Sequence, residues 1–339
     1  MSKGYKVAVV GATGAVGREM VSVLEEREFP VDELVLLASE RTEGEKIGFH
    51  GEEIVVQRLR ESSFEGVDIA LFSAGGALSR QYASSATRAG AVVIDNSSAF
   101  RMEPDVPLVV PEVNAQDIGG YETRGIVANP NCSTIQMVVA IGPLHRAAGL
   151  SRVRVATYQS VSGAGQKGVA ELSTQIRHLF NSQEVTTEVF PHRIAFNVIP
   201  HIDGFRDNGY SGEEMKMVEE TRKILHLPDL PVSATCVRVP VFYGHAEAVT
   251  VEMARKLSAS EAREILRGAE GVKVLDSTAE NTYPMPLLAA GEDATLVGRI
   301  REDLAHPMGL ELFVVADNVR KGAATNAVQI AERLVREHF

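Results

Sequence analysis

Cysteine is scarce in this chain of 339 residues: there are two, Cys132 and Cys236, 104 positions apart. That spacing makes neither a disulfide framework nor a metal motif. No apolar run approaches the roughly 18 residues that a membrane-crossing helix requires. The first residues carry no charged-then-apolar leader pattern, so a reducing cytoplasm is the expected location. Basic residues are outnumbered, 34 Lys and Arg against 45 Asp and Glu, for a net charge of −11. This balance argues against bulk nucleic-acid binding. An anionic small ligand would have to meet individual arginines and lysines. Repeats and low-complexity tracts are missing too. What remains is an ordinary globular composition, 45% hydrophobic and 23% charged, of two-domain length.

The first third alternates short β-branched runs with helical patterns. Strands are expected at 5–10, 34–38, 68–73, 91–95 and 125–128, which implies βαβ units and a parallel sheet. After about residue 150 the texture changes. Alternating runs at 152–159, 235–243, 247–255, 295–301 and 309–316 predict a mostly antiparallel sheet covered on one face. The last segment, 321–338, has apolar residues at 324, 327, 328, 331, 334 and 335, the mark of a helix with one buried face.

Two motifs stand out. Gly11, Gly14 and Gly17 follow the first strand and open a helix. Glycines there permit a tight turn, close approach of backbone to a pyrophosphate, and close helix–strand packing. After the second strand comes Ser39-Glu40-Arg41-Thr42. An acid at this place suits the ribose hydroxyls of NAD, whereas an arginine suits the 2′-phosphate of NADP. Ser39 and Thr42 flanking Arg41 tip the reading to NADP, although Arg41 also fits a solvated loop cation. The second motif is Asn129-Pro130-Asn131-Cys132-Ser133-Thr134, followed at once by an apolar-periodic stretch. Turn and capping residues put Cys132 at the first turn of a helix. The unpaired N–H groups and partial positive charge there favour a thiolate nucleophile. The competing reading is an inert, buried cysteine. Cys236, on an apolar strand, is expected to be packing alone.

A thiolate doing acyl chemistry needs an acid/base partner, usually histidine. His245 follows Arg238-Val-Pro-Val-Phe-Tyr-Gly244, read as a strand end with a glycine; His201 is its main competitor, and His178 and His226 look solvated. Gln159 closes a strand before Ser162-Gly163-Ala164-Gly165, either a site amide with a nicotinamide loop or a plain surface loop. Arg101 follows a sheet strand. Glu213 and Lys216 share a helix face, where a surface ion pair is the simpler reading. Arg238 lies in an apolar strand and needs an anion, from a structural carboxylate or a substrate.

Taken together, Gly-Ala-Thr-Gly-Ala-Val-Gly (11–17), Ser-Ser-Ala-Phe-Arg (97–101), Asn-Pro-Asn-Cys-Ser-Thr (129–134), Gln-Ser-Val-Ser-Gly-Ala-Gly (159–165), Glu-Glu-Met-Lys (213–216), Arg-Val-Pro-Val (238–241) with Gly-His (244–245), and Asp-Asn-Val-Arg-Lys-Gly-Ala-Ala (317–324) resemble the aspartate-β-semialdehyde dehydrogenase family over essentially the whole chain. The resemblance implies an α/β fold. A Rossmann-like NADP-binding domain would span 1–130 and 318–339, and an α+β catalytic and dimerisation domain 131–317. It implies NADPH-dependent reductive dephosphorylation of L-4-aspartyl phosphate to L-aspartate 4-semialdehyde, in lysine (diaminopimelate), threonine and methionine synthesis, by a homodimer. Cys132 would be the nucleophile, His245 the acid/base and Gln159 the orienting amide. Arg238 would take the substrate α-carboxylate and Glu213 the amino group, with Arg101, Asn131 and Lys216 on phosphate. Gly11, Thr13, Gly14, Ala15, Val16, Ser39, Arg41, Thr42, Ser162, Gly163 and Asn318 would contact NADP. Alternatives are an N-acetyl-γ-glutamyl-phosphate reductase, which has no use for Glu213 as amino-group acceptor, and a non-catalytic NADP-binding redox sensor using Cys132.

Overall fold

The computed structural model describes residues 4–339. The chain divides into two compact units, one made of residues up to 131 together with 323–339, the other of 132–322. The resemblance implies boundaries at 130 and 318 instead. Residues 318–322 stay with the second unit, as 317 does, because polar groups of Asp317 and Asn318 are used there. Asn318 Oδ1 accepts hydrogen bonds from Ser160, Ser162 and the Gly244 N–H, and Asp317 Oδ2 accepts from the Gly291 N–H.

In chain order the first unit contains β1 (Tyr5–Val10), α1 (Ala15–Glu26), β2 (Val31–Ala38), β3 (Lys46–Phe49), β4 (Glu52–Val55), β5 (Gln57–Arg58), β6 (Ile69–Phe72), α2 (Gly76–Arg88), β7 (Val92–Asp95), α3 (Pro111–Asn114) and β8 (Ile126–Ala128). One sheet runs β5-β2-β1-β6-β7-β8 with every pairing parallel. Strands buried on both faces need apolar side chains on both, which is why 69–72 and 92–94 read as unbroken apolar runs. Met20, Val21 and Leu24 form the buried stripe of α1. The C-terminal helix Thr325–His338 adds Ala327, Val328, Ala331 and Leu334 to the same core. It is preceded by a wider turn at Arg320–Ala324 that the periodicity alone does not distinguish from α-helix. The strand order reverses between β1 and β6, so their carboxyl ends diverge and open a crevice.

The second unit contains α4 (Cys132–Ala148), β9 (Leu150–Gln159), α5 (Gly165–Phe180), α6 (Gly212–Ile224), β10 (Val232–Arg238), β11 (His245–Met253), α7 (Ala259–Arg267), β12 (Val272–Val274), α8 (Pro286–Ala289), β13 (Thr295–Glu302) and β14 (Gly309–Ala316). Its sheet runs β10-β9-β11-β14-β13-β12. The central pairings are antiparallel, but β10 lies parallel to β9 and β12 parallel to β13. The sheet is therefore mixed, because the chain returns to each edge through a helix-bearing crossover instead of a hairpin. Two expected strands shift. The run at 235–243 ends at Arg238, where Pro240 has no N–H to continue a ladder. His245 then opens the next strand instead of trailing the previous one, after Gly244 turns the chain at φ 85°. Among the described residues, no helix is long and apolar enough to cross a membrane.

Candidate active site

The second unit assembles its polar residues by strand register. Arg238 on β10 pairs with Gln159 on β9. Ala246 pairs with Tyr158, which sets His245 on the next step, beside Gln159. All three side chains are buried, at the strand ends, on the sheet face that packs against α4 and α6. Cys132 is the first residue of α4 and is half-buried rather than sealed. Its backbone is so close to the turn at 322 that a Cβ on Gly322 would lie 2.8 Å from the Cys132 Cβ. Cys132 also acts electrostatically on the Arg238 guanidinium. The helix start and a nearby arginine are the two features that favour a thiolate.

His245 is fully buried. Its Nδ1 lies 3.2 Å from the Ser160 backbone N–H and 3.0 Å from Ser160 Oγ. A backbone N–H only donates, so Nδ1 is the acceptor and the neutral ring carries its proton on Nε2. Nε2 has no hydrogen-bond partner among the described residues. Gly163 is what leaves it room. A Cβ there would stand 3.1 Å from Nε2 and 2.7 Å from Arg238 Nη1, so any side chain at 163 would press on the imidazole and the guanidinium. Burial, reinforced by Arg238, pushes the imidazole pKa down to about 3. Because that value is depressed, the ring is neutral at every pH well above 3 and gains charge only in strong acid. The expected result is that the His245 Cε1–H resonance does not titrate between pH 5 and pH 8 in NMR of the ligand-free protein. A midpoint near the ordinary 6.5 would contradict this environment.

The countercharges form one connected group. Gln159 accepts from Thr157 Oγ1 at 3.0 Å and donates Nε2 to Glu213 Oε1 at 3.0 Å. The other carboxylate oxygen of Glu213 accepts from Lys216 Nζ at 3.2 Å, and Lys216 also donates to Asp203 at 2.9 Å. The ion pair expected on a helix face is present, but Glu213 is only 5% exposed. Burial lowers the Lys216 pKa, yet Glu213 and Asp203 outweigh it and hold the ammonium above its usual value. α6 aims these residues because Ser211 caps it, with Glu214 closing a capping box. Arg238 donates Nη1 to the Ser160 carbonyl at 2.7 Å and packs over Phe190. Burial lowers its pKa, while Glu213 and Cys132 oppose the shift. Ser162 Oγ, like Ser160 Oγ, donates to Asn318 Oδ1.

The first unit carries the glycine loop. Gly11 has φ 84°, and a Cβ on Gly17 would come within 2.1 Å of the Gly11 carbonyl, so both positions demand glycine. Gly14 and Ala15 begin α1, whose first turn has no acid to neutralise its N–H groups; Val16 packs on the core. Thr13 and Thr42 hydroxyls meet at 3.1 Å. A cavity of about 530 Å³ is lined by Gly11, Thr13, Gly14, Ser39 and Arg58 among others. Arg41 lies in the adjoining turn and is exposed. Arg101 is buried, donating to the carbonyls of Asn129 (2.9 Å) and Asn96 (3.0 Å), and Asn131 is buried as well.

Three residues of these sites escaped the sequence reading. Ser160 sets the His245 tautomer, Thr157 orients Gln159, and Arg58, paired with Glu40 at 2.8 Å, lines the cavity beside Ser39. Thr157 had a signal, since it lies two residues from Gln159 on one strand face. Arg58 had none, because its place beside Ala38 is a strand pairing. His201, the competitor, instead stacks on Phe205 at 4.1 Å. Cys236 is buried against Met217, and burial pushes its thiol pKa up.

Family models described as semialdehyde dehydrogenase, NAD binding domain, and semialdehyde dehydrogenase, dimerisation domain, match residues 6–121 and 141–321. Aspartate-semialdehyde dehydrogenase of Aquifex aeolicus (strain VF5) is 58% identical over 336 residues, 98% of this chain and 99% of that one. Aspartate-semialdehyde dehydrogenase 2 of Vibrio cholerae is 55% identical, with all of both chains covered. The crystal structure of aspartate semialdehyde dehydrogenase II complexed with ASA from Vibrio cholerae superposes with a TM-score of 0.98 at 54% identity, covering 100% of both chains. The Candida albicans aspartate semialdehyde dehydrogenase with NADP gives 0.76 at 26% identity, covering 98% of each. Full-length identity of this order, on the same two-unit architecture, places the chain in the aspartate-semialdehyde dehydrogenase family.

Proposed function

We propose that this protein catalyses the NADPH-dependent reductive dephosphorylation of L-4-aspartyl phosphate to L-aspartate 4-semialdehyde, as a cytoplasmic homodimer serving lysine, threonine and methionine synthesis. The observation that carries the reading is the buried chain Thr157–Gln159–Glu213–Lys216 beside Arg238 and His245. It offers a carboxylate for an amino group and a guanidinium for a carboxylate, the two α-substituents of an amino acid. The match to a dimerisation domain supports the homodimer. Relatives solved with ASA and with NADP support the ligands.

The glycine loop fits a dinucleotide, since its two obligatory glycines keep side chains away from the uncapped start of α1. Gly11, Thr13, Gly14, Ala15 and Val16 would hold the pyrophosphate, and Ser39, Arg41, Thr42 and Arg58 the 2′-phosphate. Ser162, Gly163 and Asn318 complete the proposed cofactor contacts. When bound, NADPH supplies hydride. Cys132 Sγ forms a bond to the acyl carbon as the carbon–oxygen bond to phosphate breaks, with Arg101, Asn131 and Lys216 stabilising the departing anion. His245 directs its Nε2–H at the carbonyl oxygen, where negative charge collects. Gln159 holds the acyl group in line. After hydride addition to the thioester carbon, the carbon–sulfur bond breaks and the thiolate is restored to the start of α4.

The test is phosphate-dependent oxidation of L-aspartate 4-semialdehyde, run beside N-acetyl-glutamate semialdehyde and with NADP and NAD in turn. A preference of about a hundredfold or more for the unacetylated substrate is expected, because an acylated amine is uncharged and bulkier and cannot offer Glu213 the ammonium that this carboxylate would bind beside Lys216. Preference for the acetylated aldehyde would refute the assignment.

A further inference from the structure

One buried acid takes no part in the chemistry above. Glu247 lies in the middle of the sheet, two residues along β11 from His245 and so on the same face. Its backbone pairs with Thr157 on β9 and with Val314 on β14, and Cys236 on β10 pairs with Thr157 in turn. The row Cys236–Thr157–Glu247–Val314 therefore lies directly beneath the row that holds Arg238, Gln159 and His245. Glu247 is 0% exposed, and among the described residues neither carboxyl oxygen has a partner at full hydrogen-bonding geometry. The polar side chain that acts on it is Gln136, on α4 one turn past Cys132. Gln136 donates Nε2 to the His245 carbonyl at 3.3 Å, while its own Oε1 is buried without a partner.

Three orphan oxygens on two facing groups are a costly arrangement for an ionised carboxylate, which would confront an amide oxygen with a second acceptor. One proton removes the conflict. A neutral carboxylic acid and a primary amide are complementary: the acid O–H donates to the amide oxygen and an amide N–H donates to the acid carbonyl. The second N–H of Gln136 is the one that meets the His245 carbonyl. Every orphan is then satisfied.

We propose that Glu247 is kept as a neutral acid paired with Gln136, and that this pair is a positioning device tying the helix that bears Cys132 to the strand that bears His245. The amide cannot flip without losing both the acid and the His245 carbonyl. The spacing of nucleophile and imidazole is thus set by a hydrogen-bonded strut below the site. Burial raises the Glu247 pKa well above the usual carboxylate range, and a hydrogen bond from the Gln136 amide opposes that shift without reversing it. No cation contributes; Thr157, Cys236 and Gln136 are the polar groups in its layer.

The inference rests on the proposed reaction only for its kinetic readout. Infrared difference spectra between wild type and Glu247→Gln, taken at pH 8, are expected to show a carboxylic-acid C=O band that the variant lacks. An ionised carboxylate band in its place would overturn the proposal whatever the protein's substrate. In kinetics, Glu247→Gln retains the complementary pairing and is expected within about threefold of wild-type kcat. Glu247→Leu is expected to lose about tenfold to a hundredfold in kcat with KM within about twofold, the mark of misplacement rather than lost binding. Gln136→Leu with Glu247→Leu should be no worse than either alone. If Glu247→Gln were as impaired as Glu247→Leu, the pair would not be the device described. Should the leucine variants fail to fold, the infrared band and the Glu247→Gln rate still decide.

Discussion

Substituting Cys132 with alanine is expected to lower turnover at least about a thousandfold, because in the proposed reaction this residue forms the bond on which every later step depends. Binding should survive. The dinucleotide loop lies in the other unit, so the Kd for NADPH measured by fluorescence titration should stay within about twofold of wild type. A second readout isolates the covalent step. Wild-type protein mixed with aspartyl phosphate and no NADPH should gain the mass of an aspartyl group on Cys132, and the alanine variant should not. Turnover within about tenfold of wild type would remove the thioester route, whereas an adduct on Cys236 would transfer it. The latter is not expected: Cys236 is fully buried, touches Met217, and has a thiol that burial keeps protonated.

Arg238→Lys is the second large effect, with kcat/KM expected to fall about a hundredfold. The charge is conserved in this variant, so charge alone cannot account for the loss. The guanidinium already commits Nη1 to the Ser160 carbonyl while lying over Phe190. Its planar fork can serve that carbonyl and still offer a carboxylate two parallel N–H groups. An ammonium offers a single point charge and lacks the flat face. Releasing Ser160 has a further consequence, since the same residue's N–H holds His245 Nδ1. Both KM and kcat should therefore suffer. Initial-rate measurements over substrate concentration resolve the two, and a variant with both constants normal would exclude Arg238 from carboxylate binding.

Much of the architecture could be read along the chain. Apolar runs flanked by helical patterns announce a parallel sheet, and 69–72 and 92–94 are buried on both faces as such runs require. Gly11 and Gly17 declare their roles because only glycine tolerates φ 84° or an approach of 2.1 Å. The start of α4 at Cys132 was legible from Pro130 and Asn131. The alternation around Arg238 continues past the end of the strand, because it does not register that Pro240 has no N–H and interrupts the regular ladder. The parallel placement of β10 and β12 left no trace in periodicity, since period-two alternation is the same for either direction of pairing.

Glu213 shows the other kind of limit. As a sequence, Glu213 and Lys216 are an ordinary surface pair; folded, the glutamate is buried and bonded to Gln159, 54 residues earlier. Local chemistry, glycine conformation, helix starts and face periodicity were determined by the sequence itself, because each depends on neighbours within a turn or two. Which buried carboxylate faces which amide, and that Arg238 and His245 come to lie beside Gln159, was decided only by strand register and helix docking. Those depend on contacts between distant segments, and the energy of a buried polar group is set by such contacts rather than by its own identity.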